Sequence, residues 1–228
     1  MVHGFSTRRE GTSDPATGGG KPRVEGERDG FLVALGLAGW PVGRLRQVHS
    51  NVAHHVEGNE FVNAAPEGDA AYTGLTGMAL EVRTADCVPV LIADDSARVV
   101  AMAHAGWRGT SEGVVPKLVD AMVSEFGVSV GDLAVAMGPH IGVCCMEVGE
   151  EVFDRFANPD IFRRKPEWAK PHLDLGEANR RQLLDAGVEA HMIQASTLCT
   201  RCRGDMFHSY RRDGAGEGRM FSVIGIQP

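Results

Sequence analysis

Short apolar runs, each stopped by a glycine, a proline or a polar turn, set the rhythm of this chain. Residues 79–82, 88–93 and 99–103 are three such runs of strand length, with the polar residues at their ends rather than inside them. Residues 133–137 and 220–226 read the same way, and 4–6, 42–48 and 51–56 are shorter extended pieces. A different period governs Val114, Val115, Leu118, Val119, Met122, Val123 and Phe126, which share one face at helical spacing. That stripe predicts a helix with Thr110 or Ser111 as its N-cap, ending near Phe126; Pro116 fits only if it falls in the first turn. Further helices are expected at 31–37, 147–156 and 175–186, and 64–69 reads as a turn-rich link. With no repeat and no linker, the order of elements predicts one mixed α/β domain over 1–228, a mixed sheet flanked by helices. Residues 7–29 are polar and glycine-rich, and a flexible loop is expected there.

Composition narrows the function classes. At 228 residues and 43% hydrophobic content, the chain has enough apolar material for a substantial core. A net charge of −7 argues against a general nucleic-acid binder, which needs basic surface to displace counterions from phosphates. No run approaches the roughly 18 apolar residues of a membrane span, and the first residues lack an apolar targeting segment, so a cytoplasmic location is expected. Five cysteines suit reduced thiols better than a disulfide framework. Cys199 and Cys202 form one C-x-x-C and Cys144 and Cys145 are adjacent; a lone C-x-x-C outside a strand-to-helix context is a weak zinc or redox signal and reads as structural.

The chemistry sits at the seams between runs. His49 closes one extended piece, Thr84-Ala85-Asp86-Cys87 separates two others, and His104-Ala105-Gly106-Trp107-Arg108-Gly109 follows the last. By residue type alone, Cys87 reads as a small buried hydrophobe and His104 as a core histidine. Together with His49 they would also make three ligands of a tetrahedral zinc site whose fourth position stays open. Their separations exceed any local finger or zincin spacing, so the spacing does not decide between these readings.

TADCVPVLIAD followed by HAGWRGT, with RQVHS upstream, GPHIGVCC downstream and CTRC, FHSYRRDG and GR toward the end, resembles the YfiH or laccase-domain family over 3–226. Its members go by purine nucleoside phosphorylase or polyphenol oxidase. The resemblance implies a YfiH-like fold, with His49, Cys87 and His104 as metal ligands rather than core residues. It implies a zinc enzyme that cleaves purine nucleosides with phosphate and deaminates adenosine. Arg8, Arg46, Arg108 and Arg211 lie in matched motifs and are the expected bidentate phosphate binders. Asp69, in GDAAYT, is expected among the substrate contacts and is a candidate proton carrier. Asp86 reads equally as proton carrier and as turn former, and His140 as an acid or a contact to the base. Phe207 and Tyr210 read as purine-stacking or as core. The loop after FSTR and Met146 depart from the family pattern, which affects loop contacts and not the ligands.

Two other classes stay open. A copper-dependent polyphenol oxidase needs clustered imidazoles, yet the nine histidines contain no His-x-His and only His54 and His55 are adjacent. A metal-free hydrolase, including one that edits peptidoglycan precursors, would use Cys87 as nucleophile and His104 as base.

Overall fold

The computed structural model describes residues 1–8, 22–94, 96, 98–215 and 218–228. In chain order the elements are β1 (Val2–Phe5), α1 (Pro22–Ala34), β2 (Val42–Arg44), β3 (Ala53–His55), α2 (Glu60–Asn63), β4 (Ala70–Thr73), β5 (Ala79–Thr84), β6 (Val88–Asp94) and β7 (Val100–Ala105). Then come α3 (Trp107–Ser111), α4 (Val114–Phe126), β8 (Leu133–Met137), α5 (Glu150–Phe153), β9 (Phe162–Arg163), β10 (His172–Leu173), α6 (Leu175–Asp185), β11 (Ile193–Ala195), α7 (Tyr210–Asp213) and β12 (Met220–Gly225). One sheet runs β1-β12-β5-β2 and a larger one β11-β8-β6-β7-β4-β3, while β9 and β10 pair as a ribbon. The fold is mixed α/β, as expected, but with two main sheets in place of one.

Strand alternation explains why two sheets are needed. In β6, Val88, Val90 and Ile92 face α4 and α6, whereas Leu91 and Ala93 face the smaller sheet. In β7, Ala101, Ala103 and Ala105 share the helix side, and Val100 and Met102 the inter-sheet side. Leu80, Val82 and Ile224 meet them from the smaller sheet. Ala79 and Val223 point the opposite way, onto Leu32 of α1. The layers therefore run α1, small sheet, large sheet, α4 with α6. Strands covered on both faces read as continuous apolar runs, which is the pattern at 88–93. Arg28 of α1 is tied to the layer below by an Nε bond of 2.5 Å to the buried Glu81.

The differences from expectation are local. The helix expected from Thr110 or Ser111 is two helices, α3 and α4, broken at Gly113 with φ +75°. A glycine adopts that backbone at little cost, and Pro116 then falls in the first turn of α4, where its missing N–H is harmless. Within the segment expected to be a flexible loop, residues 22–29 are helical as part of α1, which begins before 31; residues 9–21 lie outside the described residues. The helix expected over 147–156 is confined to α5, and the extended piece at 42–48 keeps only β2 as strand.

Leu91 is 1% exposed between the two sheets. Leu91→Ala is expected to lower unfolding free energy by about 2–5 kcal/mol, read from the urea midpoint at unchanged slope. A loss under about 1 kcal/mol would mean that the sheets close over the missing side chain.

Candidate metal centre

His104 has the parity of Met102, so its ring enters the space between the sheets near the end of β7. The β4–β7 ladder pairs Ala70 with Ala103, which sets Asp69 opposite His104; the His104 amide donates to the Asp69 carbonyl at 2.7 Å. The fully buried Asp69 carboxylate then accepts from His104 Nδ1, also at 2.7 Å. Cys87 directly precedes β6, whose Pro89 pairs with His104, and shares the inter-sheet parity of Leu91.

His49 arrives on the loop after β2 with φ +63°, an unusual backbone for a non-glycine residue. The same carboxylate holds it there. Asp69 accepts from the amides of Val48 at 3.2 Å, His49 at 3.0 Å and Ser50 at 2.6 Å, and from Ser50 Oγ at 2.8 Å. Gln47 fastens the loop to the end of β5: its Nε2 donates to the Arg83 carbonyl at 2.8 Å and its Oε1 accepts from the Arg83 amide at 2.9 Å.

Cys87 Sγ lies 3.9 Å from His49 Nε2, and the His49 and His104 rings meet edge-on at 4.8 Å between centroids. One donor atom from each of the three residues lies within 4.8 Å of the others. Bonds of roughly 2.0–2.3 Å to a tetrahedral zinc would put ligand atoms about 3.3–3.8 Å apart, so a small contraction would satisfy an ion. Asp69 on Nδ1 leaves Nε2 of His104 for that role and fixes the ring. His49 is exposed, Cys87 half-buried and His104 buried, so the group opens toward His49. Gly106 is needed beside it, because a Cβ there would stand 2.8 Å from His49 Cδ2 and 3.0 Å from Cys87 Sγ.

The charges are mutually supporting. Burial opposes ionisation of Cys87, but His104 and His49 outweigh it and bring the thiol down to about 6. Burial likewise opposes a charged His104, yet Cys87 and Asp69 raise it to about 9. Asp69, despite burial, is held at about 2 by His104 and Ser50.

The other expected residues fall in several places. Asp69 is fully buried, and its carboxylate is engaged by His104 and by the amides of residues 48–50. Asp86, at φ +92°, is nearly buried, and its carboxylate accepts from Thr200 Oγ1 and the Arg211 amide, each at 2.6 Å. It therefore shapes the turn that carries Cys87. His140 is buried: Nδ1 bonds the Gly138 carbonyl at 2.9 Å and the ring packs on Gly176 of α6, with burial lowering its pKa.

Arg108, on α3 just past Gly106, is exposed and stacks over Trp107 at 4.3 Å. Arg46 pairs with Glu67 at 2.5 Å on the surface. The Arg211 guanidinium donates to the Glu147 carbonyl at 2.9 Å, and Arg8 lies 3.9 Å from Asp213. Phe207 is core and Tyr210 is exposed.

Among the described residues, a cleft of about 170 Å³ lies beside Phe5, Phe31 and Phe221 and another of about 280 Å³ beside Arg44, Gln47 and Arg83; neither is lined by the triad. Gln47, Ser50, Gly106 and Thr200 also shape this corner without standing out by residue type. The Q-V-H and H-A-G strings held the signal for Gln47 and Gly106; nothing local marked Thr200.

A family model described as multi-copper polyphenol oxidoreductase laccase matches residues 2–227. An adenosine deaminase RL5 from an unknown prokaryotic organism is 44% identical over 167 residues, 71% of this chain and 63% of that protein. A purine nucleoside phosphorylase of Bacteroides thetaiotaomicron is 42% identical over 163 residues, 69% of this chain and 60% of that protein. The chain thus spans less than two thirds of the length of these two relatives. The purine nucleoside phosphorylase CA_C1699 of Clostridium acetobutylicum is 36% identical over 223 residues, covering 96% and 89%. The crystal structure of YlmD from Geobacillus stearothermophilus superposes with a TM-score of 0.86 at 33% identity, covering 100% of this chain and 92% of that one.

Asp69→Asn is expected to weaken zinc binding by about 10–100-fold, measured by competition with a chromophoric chelator; an unchanged affinity would show that the carboxylate does not orient His104. In metal-stripped protein the depressed thiol pKa favours thiolate above pH 6 and loses it below. Alkylation of Cys87, followed by peptide mass, should therefore rise with a midpoint near pH 6. A midpoint near the ordinary thiol value of about 8.5 would show that the imidazoles do not stabilise the thiolate.

Proposed function

The chain belongs to the multi-copper polyphenol oxidoreductase laccase family over residues 2–227, and we propose that within it this protein is a zinc-dependent purine nucleoside phosphorylase that also deaminates adenosine. The observation that carries the reading is the convergence of His49, Cys87 and His104 at one open corner. Relatives bearing both activity names support it.

One thiolate and two imidazoles suit zinc, and an ion held by them would supply Lewis-acid polarisation at an open fourth position. The rest falls to the chain. Asp69 keeps Nδ1 of His104 protonated and its ring fixed. Arg108, planted on Trp107, offers a fork to a phosphate dianion beside the ligands, with Arg46 as a second contact once it leaves Glu67. Asp86, with Thr200 and Arg211, holds the Cys87 turn in place. In phosphorolysis a phosphate oxygen bonds the anomeric carbon as the C–N bond breaks, and the electron pair leaves on the purine, which takes up a proton. In deamination water replaces the amine of adenosine, giving inosine and ammonia.

Among the described residues, the groups that bring three or more ligating side chains together are this triad and a set of four thiols. That arrangement gives little support to an oxidase with several imidazole-bound coppers.

Incubation of zinc-loaded protein with inosine or adenosine, followed chromatographically, should release base only when phosphate is present, and convert adenosine to inosine without it. Chelation should stop both and zinc restore them. Arg108→Ala should raise the phosphate KM by about 10–100-fold, the worth of a charged hydrogen bond, with kcat less affected. No base release from any purine nucleoside would refute the phosphorylase. Turnover that ignores chelators but dies on alkylation would point to a Cys87 hydrolase.

A further inference from the structure

The remaining four cysteines also converge. Strands β8 and β11 are parallel neighbours, Val135 pairing with Ile193 and Met137 with Ala195, so the loops leaving their ends emerge side by side. A bridge between His140 and Cys199 extends that pairing. The first loop carries Cys144 and Cys145, the second Cys199 and Cys202. Cys202 Sγ lies 3.7 Å from that of Cys144 and 3.4 Å from that of Cys145, and all four sulfurs fall within 4.8 Å of one another.

A disulfide needs sulfurs at about 2.05 Å, whereas four thiolates bonded at about 2.3 Å to one tetrahedral ion stand about 3.8 Å apart. The separations of 3.4 and 3.7 Å lie close to the second arrangement and far from the first. Donors already face the sulfurs: the Gly142 amide points at Cys199 Sγ from 3.2 Å and Arg201 Nη1 at Cys145 Sγ from 3.4 Å. Such bonds stabilise thiolates in a ligand shell. At Gly142 a Cβ would stand 3.3 Å from both Cys144 Sγ and Cys199 Cβ, so the bare backbone leaves room for the group to close.

We propose that Cys144, Cys145, Cys199 and Cys202 form a second metal site, a closed tetrathiolate that takes a soft divalent cation of the zinc class. With four protein ligands it has no vacancy for substrate, so its work is structural. It clamps the turn at 199–202, from which Thr200 reaches Asp86 at 2.6 Å, one residue from Cys87. Arg212 fastens the same turn through the carbonyls of Thr200 and Arg201, at 2.9 and 3.1 Å. The clamp therefore braces the loop that presents the triad thiolate.

The test uses full-length protein in which the triad is disabled by Cys87→Ala with His104→Ala. After reduction and desalting it should still carry one zinc per chain by elemental analysis. Replacement by cobalt should give the intense thiolate charge-transfer and tetrahedral ligand-field absorption of a four-sulfur site. Adding Cys199→Ser with Cys202→Ser should remove that ion and that spectrum. A folded triad-disabled protein that, once reduced, binds neither zinc nor cobalt overturns the proposal. Should the serine variants fail to fold, the cobalt spectrum of the triad-disabled protein alone decides. Neither readout uses turnover, so the result stands apart from the fate of the phosphorylase reading.

Discussion

The Asp69 carboxylate is the interaction on which the site rests. It is fully buried, and a buried charge is tolerable only where hydrogen bonds replace the water it has lost. Here three successive amides, a serine hydroxyl and an imidazole supply them. Those partners come from two parts of the chain, the loop after β2 and the end of β7. One anion thus ties the His49 backbone and the His104 ring into the same frame. The strained backbone at His49 persists because this network over-determines it.

The layered fold explains why the triad forms at strand ends rather than in a groove between helices. Strands β4, β6 and β7 are stiffened on both faces, by the smaller sheet on one side and by α4 and α6 on the other. Cys87, just before β6, and His104, near the end of β7, inherit that rigidity, and the exposed His49 opens the group to solvent. Glycine at 106 lets α3 start without pushing on His49 or Cys87, and at 109 a Cβ would press on the Ser50 carbonyl at 2.7 Å. The two glycines of the H-A-G-W-R-G string are thus steric permissions for the loop that Asp69 gathers.

What could be read in the sequence follows from the range of each interaction. Strands β5, β6, β7 and β8 and the apolar face of α4 were legible because burial writes itself locally, as runs or as helical spacing. The break at Gly113 was hidden, since α3 and α4 together keep the look of one periodic stripe. Strand β4 is only four residues long, so its pairing with β7 leaves no mark in the sequence, and the placement of Asp69 opposite His104 is legible only in the fold. Nothing in the Gly138-Pro139-His140 string signals that α6 packs over the His140 ring. The two cysteine pairs were visible separately. Their meeting depends on β8 and β11 lying side by side, a long-range pairing that no local spacing encodes.

The ladder between β6 and β7 has its chemistry at one pole and its connecting turn at the other. That turn is closed by Asp94, which accepts from the amides of Arg98 and Val99 at 2.7 and 3.0 Å, independently of anything near Cys87. A longer or shorter turn there leaves the register of the ladder, and so the triad, untouched. A single residue inserted between Thr84 and Val88 is another matter, because shifting β6 by one position would swing the thiol to the helix side of the sheet. Length variation among descendants of this chain is therefore free at one pole and forbidden at the other, an asymmetry written by nothing more than the two-residue period of a strand.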